Sequence, residues 1–174
     1  LGWKLFWYLT DDAFIAFRYV SNSILGYGYV WNPPPFKPVE GYTSFLWVLV
    51  LDVVWRIFGV MPPDSANWIS LGFSYLTLAL SMIMFYRFDW NPRLKKFRIW
   101  FLILFLGAVL ANRTFLAWTS SGLETAMFNF FLIYWVYSSF CLNPASRNWM
   151  WSISVSTSLV YLTRPDGLLF SAAT

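Results

Sequence analysis

No charged residue interrupts positions 65–86, and the twelve positions that follow carry five cations: Arg87, Arg93, Lys95, Lys96 and Arg98. A helix of about 20 apolar residues spans the hydrocarbon of a bilayer. A short loop rich in Lys and Arg stays on its cytoplasmic side. This junction sets an expected orientation, with residue 65 outside and 87–98 inside. The rest of the chain agrees. Hydrophobic residues make up 59% and charged residues 11% of the sequence, where soluble domains are about a quarter charged. An all-α fold is expected, a polytopic transmembrane helix bundle. Twelve Trp and ten Tyr suit two membrane–water interfaces. The net charge of +4 is then a topology signal, and no nucleic-acid partner is expected. The single cysteine, Cys141, excludes an intrachain disulfide and a Cys-based metal cluster. With no histidine, acid–base chemistry falls to carboxylates, Lys or Tyr.

Residues 1–9 are too few to span and read as the outer end of a first transmembrane helix. The chain starts without Met and stops inside an apolar run, as a fragment of a longer protein would. Thr10 reads as an N-cap, with Asp11 and Asp12 in the first helical turn. Phe14, Phe17, Val20 and Ile24 share one helical face, while Asp11, Arg18 and Asn22 share another. A short helix lying in the interface satisfies both, and Gly26 stops it. The triple proline Pro33-Pro34-Pro35 makes 29–42 a rigid extended loop. Residues 43–60 are apolar, but Asp52 and Arg56 sit within them. A charge at the bilayer centre costs about 2.5–3.5 kcal/mol. A span here would also put Asp11 on the same side as the basic loop. The segment is therefore expected to be a second interfacial helix, with 10–64 one outer loop and Asp52–Arg56 a structural pair. Spans at 65–86, 99–118, 125–142 and 149–163 then alternate, with 168–174 the start of a truncated one. Asn112-Arg113-Thr114 matches a glycosylation sequon but falls inside an expected span.

This topology gathers Asp11, Asp12, Arg18, Glu40, Glu124, Arg164 and Asp166 on the outer face from four separate segments. Each has a plain structural reading. Asp11, Asp12 and Glu124 favour helix N-termini through the dipole, Glu40 is a solvated loop residue, and Arg164-Pro165-Asp166-Gly167 is a turn. The functional reading combines an acidic base, a cation for a phosphate and a site reachable from lipid. That set fits sugar transfer from a polyprenyl-phosphate donor. A carboxylate accepts the proton of the attacking hydroxyl. The phosphate leaving group needs charge stabilisation from Arg or a divalent cation.

The run Asp11-Asp12-Ala13-Phe14-Ile15-Ala16-Phe17-Arg18-Tyr19 is followed by Val30-Trp31-Asn32-Pro33 and Val39-Glu40-Gly41-Tyr42-Thr43-Ser44. Further on come Ser121-Gly122-Leu123-Glu124-Thr125-Ala126 and Leu162-Thr163-Arg164-Pro165-Asp166-Gly167. In that order they resemble the N-terminal half of C-type (GT-C) membrane glycosyltransferases, most of all the terminal cell-wall arabinofuranosyltransferases. The resemblance implies two juxtamembrane helices in the first outer loop and an extracytoplasmic active site. It implies inverting transfer of a sugar, arabinofuranose among the candidates, to a cell-envelope glycan, lipid or protein. It implies a bacterial inner or plasma membrane, Asp11 as base or acceptor-binding with Asp12 beside it, Glu124 as a second acidic position and Arg164 near the lipid phosphate. Arg18, Glu40 and Asp166 on the same outer face are further substrate-binding candidates. A divalent cation, Mg or Mn, would sit on Asp12 and Glu124. The competing expectation is a non-catalytic membrane protein of the same fold, an assembly factor or transporter component. Charges inside spans would favour that, whereas here they gather at one interface.

Overall fold

The computed structural model describes residues 2–39, 41–88 and 90–171. The chain is all-α, with no strand among the described residues. Its helices are α1 (Gly2–Leu5), α2 (Asp11–Ile24), α3 (Phe45–Phe58), α4 (Pro62–Arg87), α5 (Pro92–Lys95), α6 (Arg98–Ala111), α7 (Arg113–Trp118), α8 (Thr125–Cys141), α9 (Arg147–Thr163) and α10 (Leu168–Ser171). A 3₁₀ turn, Pro165–Gly167, joins the last two. Glu40, and residues 172–174 of the expected last span, lie outside the described residues.

Among the described residues, α4 is the one helix long and apolar enough to cross a membrane. At 1.5 Å per residue it runs about 39 Å. α6 and α8 are apolar but shorter, with 14 and 17 residues. Two expectations need correction. Residues 99–118 are not one helix. Asn112 takes an extended ψ of 109° and its side chain accepts from the Phe115 N–H at 3.0 Å, which caps a new helix, α7. Residues 1–9 are helical only over Gly2–Leu5, because the chain then extends to pair with a distant loop.

The core is made where α2 and α3 pack on α4, α8 and α9. Trp47, Val48 and Leu51 of α3 are fully buried against Ala13, Ala16, Phe17 and Val20 of α2, with Ala66, Met127, Phe131 and Val160 behind them. The buried side of α2 carries Ala13, Ala16, Phe17, Tyr19 and Val20. Phe14, expected on the apolar face, is 51% exposed, because Ala13, Ala16, Phe17 and Val20 fill the side that packs on α3. The Trp47 indole stays satisfied by donating to the Gly122 carbonyl at 3.2 Å.

α3 has 14 residues, about 21 Å of helix, which is short of the roughly 30 Å hydrocarbon core. Asp52 is only 4% exposed, yet its Oδ2 accepts from Arg56 Nε at 2.8 Å and from the Tyr29 hydroxyl at 3.0 Å. Arg56 also donates to Ser23 Oγ at 3.0 Å. The pair is thus structural, as expected, and it ties α2, α3 and the proline loop together. Burial pushes the Asp52 carboxyl up, but the Arg56 and Tyr29 hydrogen bonds outweigh it and hold it below the ordinary aspartate range.

α4 and α8 run in the same direction, and α6 and α9 run against them. Ser70 of α4 meets the Leu123 carbonyl beside the start of α8, while Arg87 at the end of α4 meets Tyr137 near the end of α8. Ser152 near the start of α9 bonds Ser138 and Tyr134 of α8. The connections of α4, α8 and α9 therefore fall at two ends. One end holds the α2 N-terminus, the 119–124 loop and the 164–167 turn. The other holds the basic loop and the 143–146 turn.

Candidate functional site

The first of these ends is built by backbone pairing between two non-helical strips, residues 7–10 and the turn at 119–122. Tyr8 N donates to Ser120 O at 3.2 Å, and Thr10 N donates to Ser121 O at 3.0 Å. Ser120 Oγ returns a bond to Phe6 O at 2.6 Å. Thr10 holds the N-cap position of α2, but its hydroxyl donates to Ser121 O at 3.3 Å instead of capping the helix. α4 seals the strips from below, where Asn67 Nδ2 donates to Tyr8 O at 3.2 Å and Ser70 Oγ to Leu123 O at 3.4 Å. Buried carbonyls without such partners would each cost about 1–3 kcal/mol. One strip leads straight into Asp11 and Asp12, and the other into Glu124.

Gly122 sets how closely the strips approach. Its φ is +80°, where a side chain is strained. A Cβ there would stand 2.6 Å from Leu9 Cδ2 and 3.0 Å from Ala13 Cβ. The loop consequently lies directly on α2, with Glu124 one turn of chain beyond. At the far side Gly167 has no room for a Cβ either, since it would meet the Val160 carbonyl oxygen at 2.7 Å. That contact folds the 3₁₀ turn back over the end of α9 and leaves Arg164 facing the same space.

The space is a pocket of about 350 Å³. Asp12, Glu124 and Arg164 line it together with Ile15, Ala16, Leu123, Trp118, Tyr42, Thr43 and Ser44. Three charged groups from three distant segments thus meet in one half-apolar cleft. Arg164 is ion-paired with Asp166 at 3.1 Å, and its guanidinium lies 5.5 Å from the Phe128 ring centre. Burial pushes the Glu124 carboxyl above the ordinary glutamate range; its own backbone N–H and Arg164 oppose this, while the charges of Asp166 and Asp12 add to it. Asp12 is exposed at the mouth. The cleft therefore offers an exposed carboxyl, a buried carboxyl raised above its ordinary range, and a fixed cation.

The residues named from sequence separate into those the pocket collects and those it does not. Asp12, Glu124 and Arg164 are collected, and Asp166 joins through Arg164. Asp11 is not among the lining residues, because one helical position turns its side chain about 100° away. Arg18 does not reach the pocket. Its Nε donates to the Trp31 carbonyl at 2.9 Å and its guanidinium lies 4.2 Å from the Trp31 ring centre. Asn22 donates to Val30 O at 2.7 Å. Both residues fasten the loop to α2 and do not orient Asp11. Sequence reasoning did not find Gly122, Asn67 or Ser70. A signal existed in the polar residues Asn67, Ser70 and Ser74, which recur at three and four positions within an otherwise apolar helix.

Asp12 and Glu124 supply two carboxylates, and among the described residues no group of three or more His, Cys, Asp or Glu gathers to hold a metal. Mg²⁺ is often held by one or two carboxylates with substrate phosphates completing its shell, so this donor pair fits such an ion. Comparison with family models, with curated proteins and with solved structures finds no match.

Proposed function

We propose that the chain is a multi-pass membrane glycosyltransferase of GT-C type that moves a sugar from a polyprenyl-phosphate donor to a hydroxyl of a cell-envelope acceptor. The observation that carries this reading is the convergence of Asp12, Glu124 and Arg164 on one pocket. That pocket lies at the end of the molecule opposite the basic loop, and with α4 read as a span the positive-inside rule supports an extracytoplasmic site. Support for the membrane setting comes from the surface. Leu102 is the only buried residue of α6, and Ile99, Trp100, Ile103 and Leu104 are each more than half exposed. Aromatic clusters mark both ends of α4, with Trp3, Trp7 and Trp68 at one and Phe85, Phe88, Trp90 and Phe101 at the other, where interfacial belts belong.

In the proposed reaction the acceptor hydroxyl oxygen attacks the anomeric carbon from the face opposite the phosphate. Its proton passes to the Asp12 carboxylate. The bond from carbon to phosphate oxygen breaks with its electron pair going to the leaving polyprenyl phosphate, so the anomeric configuration inverts. Arg164, planar and able to hold two phosphate oxygens, stabilises that charge. Glu124, whose carboxyl burial raises above the ordinary range, hydrogen-bonds a sugar or acceptor hydroxyl. A divalent cation, if bound, would be held by Asp12 and Glu124 and would add charge neutralisation at the phosphate. The assignment of the base moves from Asp11 to Asp12 because the pocket takes the second carboxylate. Arabinofuranose is the sugar to try first, on the resemblance alone.

The test is transfer by the purified full-length protein from a polyprenyl-phosphate sugar, with binding of the donor measured separately. Arg164→Lys is expected to weaken donor binding while acceptor binding holds. Absence of transfer from any polyprenyl-phosphate sugar, with donor binding unaffected by Arg164→Lys, would leave the non-catalytic membrane protein as the better reading.

A further inference from the structure

The basic end of the bundle carries a second cavity that the proposed chemistry does not use. Its volume is about 760 Å³, within the range of small-molecule sites. Met84 and Phe85 of α4, Phe105 of α6, and Ile133 and Phe140 of α8 form an apolar wall. Arg87, the last residue of α4, lines the same cavity. Its guanidinium donates to the Tyr137 hydroxyl and lies 5.6 Å from that ring's centre. The following loop adds Arg93, Lys95, Lys96 and Arg98 against one carboxylate, Asp89. Among the described residues none of the five cations is in an ion pair. Arg98 stands 4.4 Å from the Tyr86 ring centre and Lys96 4.9 Å from that of Phe97.

We propose that this cavity binds an anionic phospholipid from the leaflet on the basic side, with an acyl chain against the apolar wall and the phosphate on Arg87 and the loop cations. The proposal rests on reading α4 as a membrane span. Two features select this occupant. An apolar slot with a guanidinium at its rim matches an amphiphile that is hydrocarbon below and anionic above. The excess of positive charge then discriminates between lipids, because a zwitterionic headgroup brings its own cation against five others. The same argument disfavours a second copy of the chain, which would oppose two identical basic loops. Tyr137 holds Arg87 by one edge, leaving other N–H groups of the fork to take two phosphate oxygens.

Native mass spectrometry of the full chain, offered equal amounts of phosphatidylglycerol and phosphatidylcholine with identical acyl chains, tests this. Phosphatidylglycerol should be retained preferentially. Each Lys or Arg near a membrane surface contributes enough that its loss should lower the preference about fivefold. The expected drop is thus about fivefold for Arg87→Gln and about 25-fold for the Lys95→Gln/Lys96→Gln pair, which serves should the first variant misfold. Ile133→Trp, which fills the slot, should abolish retention of both lipids. Equal retention of the two lipids, displacement by inorganic phosphate alone, a dimer peak in place of bound lipid, or no bound lipid would each overturn the proposal. Flotation with phosphatidylglycerol vesicles checks the underlying membrane reading. A chain that floats and retains phosphatidylglycerol but transfers no sugar keeps this site and loses the proposed function, so the two failures separate.

Discussion

Asp52 and Glu124 are both withdrawn from solvent, each within reach of an arginine, yet they are set up in opposite ways. Asp52 shares one oxygen with Arg56 and Tyr29, so its charge is matched and its carboxyl sits below the ordinary range. Glu124 has an arginine nearby that is engaged by Asp166, and burial lifts its carboxyl above the ordinary range. The first arrangement closes on itself and fastens three elements. The second leaves acid, cation and open volume side by side, as a site that must receive a substrate requires. Perturbation alone does not distinguish them, since structural ion pairs shift carboxyls too. The empty space beside Glu124 does.

The strongest way to break the contrast is to remove the pocket without touching its charges. Gly122→Ala forces a Cβ to within 2.6 Å of Leu9 and keeps a φ of +80°. From left-handed strain and overpacking together it should cost roughly 2–5 kcal/mol. Chemical unfolding of the variant measures this, and a loss below about 0.5 kcal/mol, the ordinary scatter of surface substitutions, would mean the loop moves off α2 freely. Next, Asp12→Asn should lower transfer by at least about 100-fold, the lower bound for losing a general base, with donor binding retained. Asp11→Asn should stay close to wild type. The reverse pattern in steady-state kinetics would return the base to Asp11.

Asp52→Asn should leave transfer intact but cost about 1.5–3 kcal/mol, the worth of hydrogen bonds to a charged group. Because the folded Asp52 carboxyl is depressed, its contribution is present above the ordinary carboxylate value and is lost as pH falls through the depressed one. Glu124→Gln should act with the opposite sign and be the smallest effect. A raised folded carboxyl gives stability that is full below the ordinary value, about pH 4, and is lost as pH rises through the raised one. The glutamine variant lacks that loss, so its melting temperature should exceed wild type near neutral pH and converge with it in acid. A lower melting temperature at neutral pH would show that the ionised Glu124 is paired after all.

Much of this was written along the chain. Period and composition alone called for an all-helical molecule, because uncharged runs leave the backbone no partner but itself. The i, i+4 spacing of Asp52 and Arg56 foretold their pairing, since one helical turn brings such side chains together. The Pro-rich loop and the breaks at Gly26, Gly59 and Arg164-Pro165 were local matters of φ and missing donors. Tertiary structure decided what local pattern cannot carry. It split 99–118 at Asn112, where a side-chain cap competed successfully with continued helix. It turned Ala13, Ala16, Phe17 and Val20 of α2 inward against α3 and left Phe14 exposed. It sent Arg18 to Trp31 instead of the acids. Above all, it joined 6–10 to 119–122 through hydrogen bonds more than 110 residues apart in sequence. Those bonds have no sequence period. They choose Asp12 over Asp11, because the angle at which α2 leaves the paired strip decides which of two adjacent carboxylates meets Glu124 and Arg164.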